Sequence, residues 1–210
     1  MRVSEVAALL LASKRPLIHI GQGARHAEQE FRELIERLSL PYITARNAND
    51  LGYADDPLYI GRPGTFAQRG ANFAVQLCDL YLAIGTRLSL TQTGYNSRDY
   101  ARNARIIQVN IDQAELDKGT LRDPVSIRAD SKEFLTELLK QIGRVPDWSV
   151  WLKRCQYLRE RYPICRTEYL QEKEYVNSYV LVDTLSDLSQ KDDVIITDMG
   201  FAFQNTHQGW

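Results

Sequence analysis

Ile60-Gly61-Arg62-Pro63-Gly64-Thr65-Phe66-Ala67-Gln68-Arg69-Gly70-Ala71-Asn72, followed closely by Asp79-Leu80-Tyr81-Leu82-Ala83-Ile84-Gly85-Thr86-Arg87, is the stretch around which the chain reads most clearly. The first part is a glycine-rich loop, and glycine tolerates backbone angles that other residues resist. The loop feeds a helix over residues 69–78 with Ala71, Ala74, Val75 and Cys78 on one face. A buried strand then runs to Gly85. Glycines at the carboxyl ends of strands mark the ligand-binding edge of open α/β sheets. They also serve as plain turn formers, and at this point both readings stand.

Upstream, the same grammar repeats. Leu17-Ile18-His19-Ile20 is an apolar run stopped by Gly21-Gln22-Gly23. An amphipathic helix follows over residues 24–38, with Phe31, Leu34, Ile35 and Leu38 at helical spacing. Strand, glycine turn and helix open a βαβ unit. Ser4 is a candidate N-cap for a helix over residues 5–13. Residues 41–44 form a second strand, and a polar loop fills residues 45–57. Downstream, residues 105–112 are the clearest strand, β-branched and apolar. Residues 125–129 alternate as a short strand, and Asp130 or Ser131 caps a helix over 132–142. Trp148, Trp151, Leu152, Cys155, Leu158 and Tyr162 then mark a linker helix with aromatic knobs. Asn177 caps a helix over 178–188, and residues 193–197 read as a further strand. A domain of one helix and one strand cannot bury its own core. The expectation is therefore a piece of a longer protein, or a chain that a partner completes.

Composition narrows the classes. The chain has 210 residues, 44% apolar and 25% charged, with a net charge of −1. No strong field draws it to nucleic acid or an anionic membrane, and neither is expected as a partner. The apolar run over residues 6–12 is too short for a membrane span and lacks a cleavage pattern. The three cysteines are odd in number and lack metal-ligand spacing, which favours a reducing, cytoplasmic setting. The three histidines do not cluster, so no metal ligands are assigned. His19, within an apolar strand, reads as a core histidine. No Ser/His/Asp or Cys/His order marks a nucleophile and no carboxylate pair marks acid–base work, so no catalytic residue is assigned.

What remains is a set of ligand-binding turns. Gly21-Gln22-Gly23 offers backbone N–H groups to a phosphate or is a simple βα turn, since the full G-x-G-x-x-G is absent. Arg87 is a phosphate clamp or a surface arginine. Asp112 holds a ribose hydroxyl or caps the turn at residues 113–115. Asp130, ending the next strand, is open to the same two readings.

In order and spacing, these pieces resemble the central domain of thiamine-diphosphate enzymes of the acetolactate synthase type. The matching segments are Arg15-Pro16, Gly21-Gln22-Gly23, Leu40-Pro41 with Thr44, Gly61-Arg62-Pro63-Gly64, Gly70-Ala71-Asn72-Phe73-Ala74, Cys78-Asp79-Leu80, Ile84-Gly85-Thr86-Arg87 and Ile111-Asp112-Gln113-Ala114-Glu115-Leu116. The resemblance implies a parallel six-stranded sheet with helices on both faces, Rossmann-like, over residues 1–143. A linker with a helix would cover 144–175, and the start of a second α/β domain, which binds thiamine diphosphate, would cover 176–210.

In the flavin-containing branch of that family the central domain holds FAD. By resemblance, Gly21, Gln22 and Gly23 would lie near the nucleotide and Thr44 and Ala45 near the flavin, with Gly61 and Arg62 close by. Gly85, Thr86 and Arg87 would approach the diphosphate. Asn110, Ile111, Ala129 and Asp130 would approach the adenosine. Met199 and Gly200 would stand near the diphosphate of thiamine diphosphate. Ser89-Leu90-Thr91-Gln92-Thr93-Gly94-Tyr95 departs from the family, being neutral where acetolactate synthases carry acidic and basic groups.

The implied parent enzyme takes a 2-oxo acid, uses thiamine diphosphate and Mg²⁺, decarboxylates and forms or breaks a carbon–carbon bond, and works as a homodimer or homotetramer. The family's catalytic glutamate and magnesium motif are not in these residues, so the chain alone is expected to be inactive. A nucleotide-binding module, or an NAD-dependent deacylase-like enzyme, is the alternative.

Overall fold

The computed structural model describes residues 2–190 and 192–210. The chain begins with α1 (Val3–Ala12), β1 (Pro16–Ile20), a 3₁₀ segment over Gln22–Ala27, and α2 (Glu28–Leu38). Next come β2 (Tyr42–Thr44), β3 (Tyr59–Gly61), α3 (Arg69–Leu77), β4 (Leu80–Ile84) and α4 (Leu90–Thr93). β5 (Arg105–Asn110), α5 (Gln113–Asp117), β6 (Val125–Arg128) and α6 (Ser131–Gln141) complete the sheet domain. α7 (Ser149–Arg161), α8 (Ser178–Leu188) and α9 (Phe201–Gly209) follow.

The six strands form one parallel sheet in the order β3-β2-β1-β4-β5-β6. The strand order reverses between β1 and β4, the topological switch point of a doubly wound sheet. Both faces are covered, as a parallel sheet requires. Alternate side chains of each strand serve opposite cores. Ile18, Ile20, Leu80, Leu82, Ile84, Ile107 and Val109 pack with α1, α2 and α6 through Leu10, Phe31, Leu34, Phe134 and Leu138. Leu17, Tyr81, Ala83 and Ile106 pack with α3 and α7 through Ala74, Val75, Trp151 and Cys155.

The linker helix of the sequence is thus part of the second face. Trp151 donates its ring N–H to the Pro16 carbonyl at 2.8 Å, and Trp148 to that of Ser13 at 2.9 Å. Arg159 bonds the Tyr59 carbonyl at 2.6 Å. α3 and α7 cross closely at Gly70, where a Cβ would stand 2.8 Å from the Leu158 carbonyl.

Several local expectations change. The first helix starts at Val3 with Arg2 as N-cap, so Ser4 lies inside it. The helix over 24–38 begins as a 3₁₀ segment, because the turn after β1 is pinned to β4 before the α-helical register sets in. β3 arises within the glycine-rich stretch. It is a three-residue edge strand, held as Tyr42 donates to the Leu58 carbonyl at 2.9 Å. Residues 193–197 are not a strand: they pair with no ladder among the described residues, and Val194 and Ile196 are exposed. A strand exists only where a neighbour takes its backbone groups. No helix among the described residues is long and apolar enough to cross a membrane, and the three cysteines are unpaired thiols.

Candidate functional site

A cavity of about 710 Å³ opens at the carboxyl ends of β1, β2, β4 and β5, over the switch point. That volume is in the range of small-molecule and cofactor sites. Gln22, Gly23, Ala45, Gly85, Thr86, Arg87 and Asn110 line it, so seven residues singled out in the sequence come together here. Asp112, weighed for a ribose hydroxyl, lines it too.

The glycine turns build the floor by packing on each other. Gly21 donates its N–H to the Ile84 carbonyl and Gly23 to that of Gly85, both at 2.9 Å. Gly85 has φ +60, a left-handed conformation suited to glycine. A Cβ on Gly21 would lie 2.3 Å from the Gly85 carbonyl oxygen. The turn-forming reading therefore describes Gly21 and Gly23 in this structure: their N–H groups face β4 and are not offered to a phosphate.

One wall comes from the polar loop after β2. Arg32 holds that loop, donating to Asp56 at 3.1 Å and to the Leu51 carbonyl at 2.6 Å, while the Tyr42 hydroxyl donates to Asp56 at 2.7 Å. Arg25 pairs with Asp50 at 2.7 Å. The loop thereby presents Ala45, Arg46 and Asn47 to the cavity. Arg46 lies over the ring of Phe203, which comes from α9 and also lines the space. α9 is fastened by polar contacts: Asn49 meets His207 at 2.8 Å, and Arg62 donates to the carbonyls of Gln208 and Trp210 at 3.2 and 3.1 Å. Burial, with Arg46 and Arg62 nearby, lowers the His207 pKa from its ordinary value.

The opposite wall carries Asn110, Asp112 and Glu115. Asp112 caps α5, accepting from the Ala114 N–H at 2.9 Å. Glu115 accepts from Lys118 at 2.8 Å and Arg87 at 2.7 Å, and these bonds hold its carboxyl below the usual range. Arg87 is largely exposed and sits on Glu115, so a bound phosphate would compete with that carboxylate.

The third wall is α4 and its approach. Ser89, Thr91 and Gln92 line the cavity. Behind them runs a buried polar chain. Thr86 donates its hydroxyl to Gln92 Oε1 at 3.3 Å, and Gln92 Nε2 meets His19 Nε2 at 3.1 Å. His19 Nδ1 bonds the Tyr81 hydroxyl, which meets the Tyr100 hydroxyl at 2.8 Å. His19 is fully buried, and desolvation lowers its pKa to about 3. Its ring is therefore neutral at ordinary pH. With Gln92 as donor, Nε2 accepts and the proton resides on Nδ1.

Other residues named from the sequence lie outside the cavity lining. Gly21 lies beneath it as part of the floor. Thr44 is buried and bonds the Tyr59 hydroxyl at 3.0 Å. Gly61, at φ +120, ends the edge strand, and Arg62 secures α9. Ile111 is exposed. Asp130 caps α6 through the N–H groups of Lys132 and Glu133 and meets His26 at 3.0 Å, with Ala129 just before it. The Glu133 N–H bond is the main cause holding the Asp130 carboxyl below its usual range. Met199 is exposed and Gly200 is the N-cap of α9. Arg46, Asn47, Gln92, Glu115 and Phe203 were not singled out as site residues. Only their place after strands β2, β4 and β5 marked most of them, and no sequence signal marked Phe203. Among the described residues no group of three or more His, Cys, Asp or Glu side chains could hold a metal ion.

The sheet order and the cavity at its switch point define a doubly wound α/β domain of the kind that binds nucleotides. A sequence profile of the family described as "Thiamine pyrophosphate enzyme, central domain" matches residues 3–138, and the chain belongs to that family. It is similar to the acetolactate synthase large subunit of Cyanidium caldarium, 30% identical over all of this chain and 35% of that protein. It is also similar to the probable acetolactate synthase large subunit of Methanocaldococcus jannaschii, 30% identical over 95% of this chain and 35% of that protein. The acetolactate synthase isozyme 1 large subunit of Escherichia coli is 29% identical over 99% of this chain and 35% of its own length. The chain thus spans about a third of the length of these relatives.

Proposed function

We propose that this chain is the nucleotide-holding central part of a thiamine-diphosphate-dependent, acetolactate synthase-like enzyme. The whole protein would make or break a carbon–carbon bond at the carbonyl of a 2-oxo acid. The observation that carries the reading is the polar cavity at the β1/β4 switch point, within a chain of this family. Its donor set suits a dinucleotide cofactor such as FAD. Asn110 and Asp112, which line the cavity, would hold ribose hydroxyls, Arg46 and Arg87 would supply positive charge, and Phe203 would offer an apolar ring. Flavin in this position would be structural, filling the cavity and tying α9 to the sheet.

Thiamine diphosphate, when bound to the whole protein, supplies the nucleophilic carbon and electron sink for decarboxylation and carboligation. Its magnesium site and catalytic acid would come from outside the described residues. Residues 1–143 would be the central domain, 144–175 the linker, and 176–210 the start of the thiamine-diphosphate-binding domain. A homodimer or homotetramer in the cytoplasm is the proposed form.

The test uses the full gene product, supplied with thiamine diphosphate and Mg²⁺. Release of CO₂ from a 2-oxo acid, with a flavin spectrum in the purified protein, is the expected result. No CO₂ from any member of a 2-oxo acid panel would refute the enzyme. Tight NAD binding in place of flavin would favour the deacylase-like alternative.

A further inference from the structure

At the switch point of a dinucleotide-binding sheet, the glycine turn after the first strand ordinarily contacts the diphosphate. Here Gly21 and Gly23 have turned their N–H groups to the Ile84 and Gly85 carbonyls. The Ala24 N–H bonds the Gly21 carbonyl at 3.0 Å. Those three N–H groups are therefore engaged within the protein, which leaves Gln22 as the residue of the turn that can still offer a donor.

Gln92 can offer another. It follows β4, lines the cavity, and is more than nine-tenths buried. Its side chain is fixed at both ends of the amide, by Thr86 at Oε1 and by His19 at Nε2. A glutamine amide has two N–H donors and two acceptor lone pairs. Among the described residues one of each is used, which leaves one N–H and one lone pair on a side chain that lines the cavity. His19 is fixed in turn by Tyr81, and Tyr81 by Tyr100. α4 is also fixed from its other side, since the Thr91 carbonyl accepts from the Thr65 N–H at 2.8 Å. An oriented buried amide at a cavity wall, backed by four further side chains, is a pre-organised recognition group.

We propose that Gln92 is a specificity-determining donor to an anionic oxygen of the ligand, the diphosphate of a nucleotide cofactor, and that His19 and Thr86 position it. The inference rests on the nucleotide reading of the cavity. It adds one neutral side-chain donor where the Gly21 and Gly23 N–H groups are already engaged. Arg87, engaged by Glu115, then supplies charge from the rim.

The test is calorimetric titration of the full gene product, freed of bound nucleotide, with ADP, FAD and adenosine. Hydrogen bonds to charged groups set the expected size of the effect. Gln92→Leu should weaken ADP and FAD by about tenfold or more and leave adenosine unchanged. Gln92→Glu should weaken them further, because it sets a carboxylate against the diphosphate. His19→Phe should lower the ratio of ADP to adenosine affinity in the same way. His19→Gln, which restores an acceptor near the Nε2 position, should recover part of it. A purely structural role for His19 would lower the unfolding midpoint and leave that ratio alone. In the wild-type protein, the Gln92 side-chain amide resonance should shift on adding ADP and stay in place on adding adenosine. If the wild type binds ADP and Gln92→Leu keeps the wild-type ratio, the role given to Gln92 is overturned while the nucleotide reading stands. If the wild type binds neither ADP nor FAD, the nucleotide reading falls, and this proposal with it.

Discussion

Replacing Gly21 with alanine separates the two explanations of the glycine turn. Gly21 has φ −114 and ψ 174, extended backbone that alanine adopts without strain. Any penalty must therefore come from contacts. The new Cβ would stand 2.3 Å from the Gly85 carbonyl oxygen, 2.5 Å from Thr86 Cα and 2.6 Å from Thr86 Cβ. Ordinary contact begins near 3.4 Å, so the β1 and β4 turns must part by about 1 Å. Parting them breaks or stretches the 2.9 Å bonds from Gly21 to Ile84 and from Gly23 to Gly85. Overpacking costs about 1–3 kcal/mol, and each buried backbone group left unpaired about 1–3 kcal/mol more. With one such group left unpaired, a loss of about 2–6 kcal/mol follows, a large share of the stability of an ordinary domain. Urea unfolding followed by circular dichroism measures it. Gly143→Ala, with nothing within 4 Å of its Cβ, is the control and should be near neutral. A loss below about 1 kcal/mol for Gly21→Ala would refute the packing account and return the glycine to a role in ligand approach.

Three further outcomes are expected. His19 has its pKa lowered to about 3 in the fold, while the unfolded chain takes a proton near the ordinary 6.5. Its contribution is complete above pH 6.5 and is lost as pH falls from 6.5 toward 3. The slope reaches about 1.4 kcal/mol per pH unit. His19→Phe should flatten the stability curve between pH 6.5 and pH 5, and an unchanged slope would contradict the buried neutral ring. Trp151→Phe leaves the Pro16 carbonyl without its donor and should cost about 1–3 kcal/mol, read as a lower thermal midpoint. Arg62→Leu removes two bonds to the carbonyls at the end of α9. Hydrogen exchange should then speed up across residues 201–209 and stay unchanged in β1 and β4.

Much of the fold was legible because its signals are local. Five strands could be placed from apolar, β-branched or alternating runs, the first of them followed by a glycine turn and an amphipathic helix. Asn177 caps its helix as expected, and of the two candidates Asp130 and Ser131 it is Asp130 that caps α6, because an Asx side chain bonds N–H groups only two or three residues away. β3 escaped for the opposite reason. Three residues carry no period, and only pairing with β2 makes them a strand. Residues 193–197 mislead in reverse: their β-branched run is strand-like, yet no ladder takes their backbone.

The cavity divides in the same way. Its floor and rim follow from the principle that ligands sit beyond strand ends, so Gln22, Gly23, Gly85, Thr86, Arg87 and Asn110 could be named from their positions in the chain, and Ala45 from the family resemblance. Which way their groups face could not. The Gly21 and Gly23 N–H groups turn to β4 because the two turns are pressed together across 62 residues or more of sequence. Gln92 gains its role only because His19, on another strand, reaches the same point from beneath. Phe203 enters the wall because polar side chains fasten α9 onto the sheet domain. Sequence alone determined five of the six strands, the caps and the edge where the cavity opens, since these depend on neighbours a few residues apart. Tertiary structure decided which donors remain free, since a hydrogen bond already made to a distant segment leaves no mark in the local pattern.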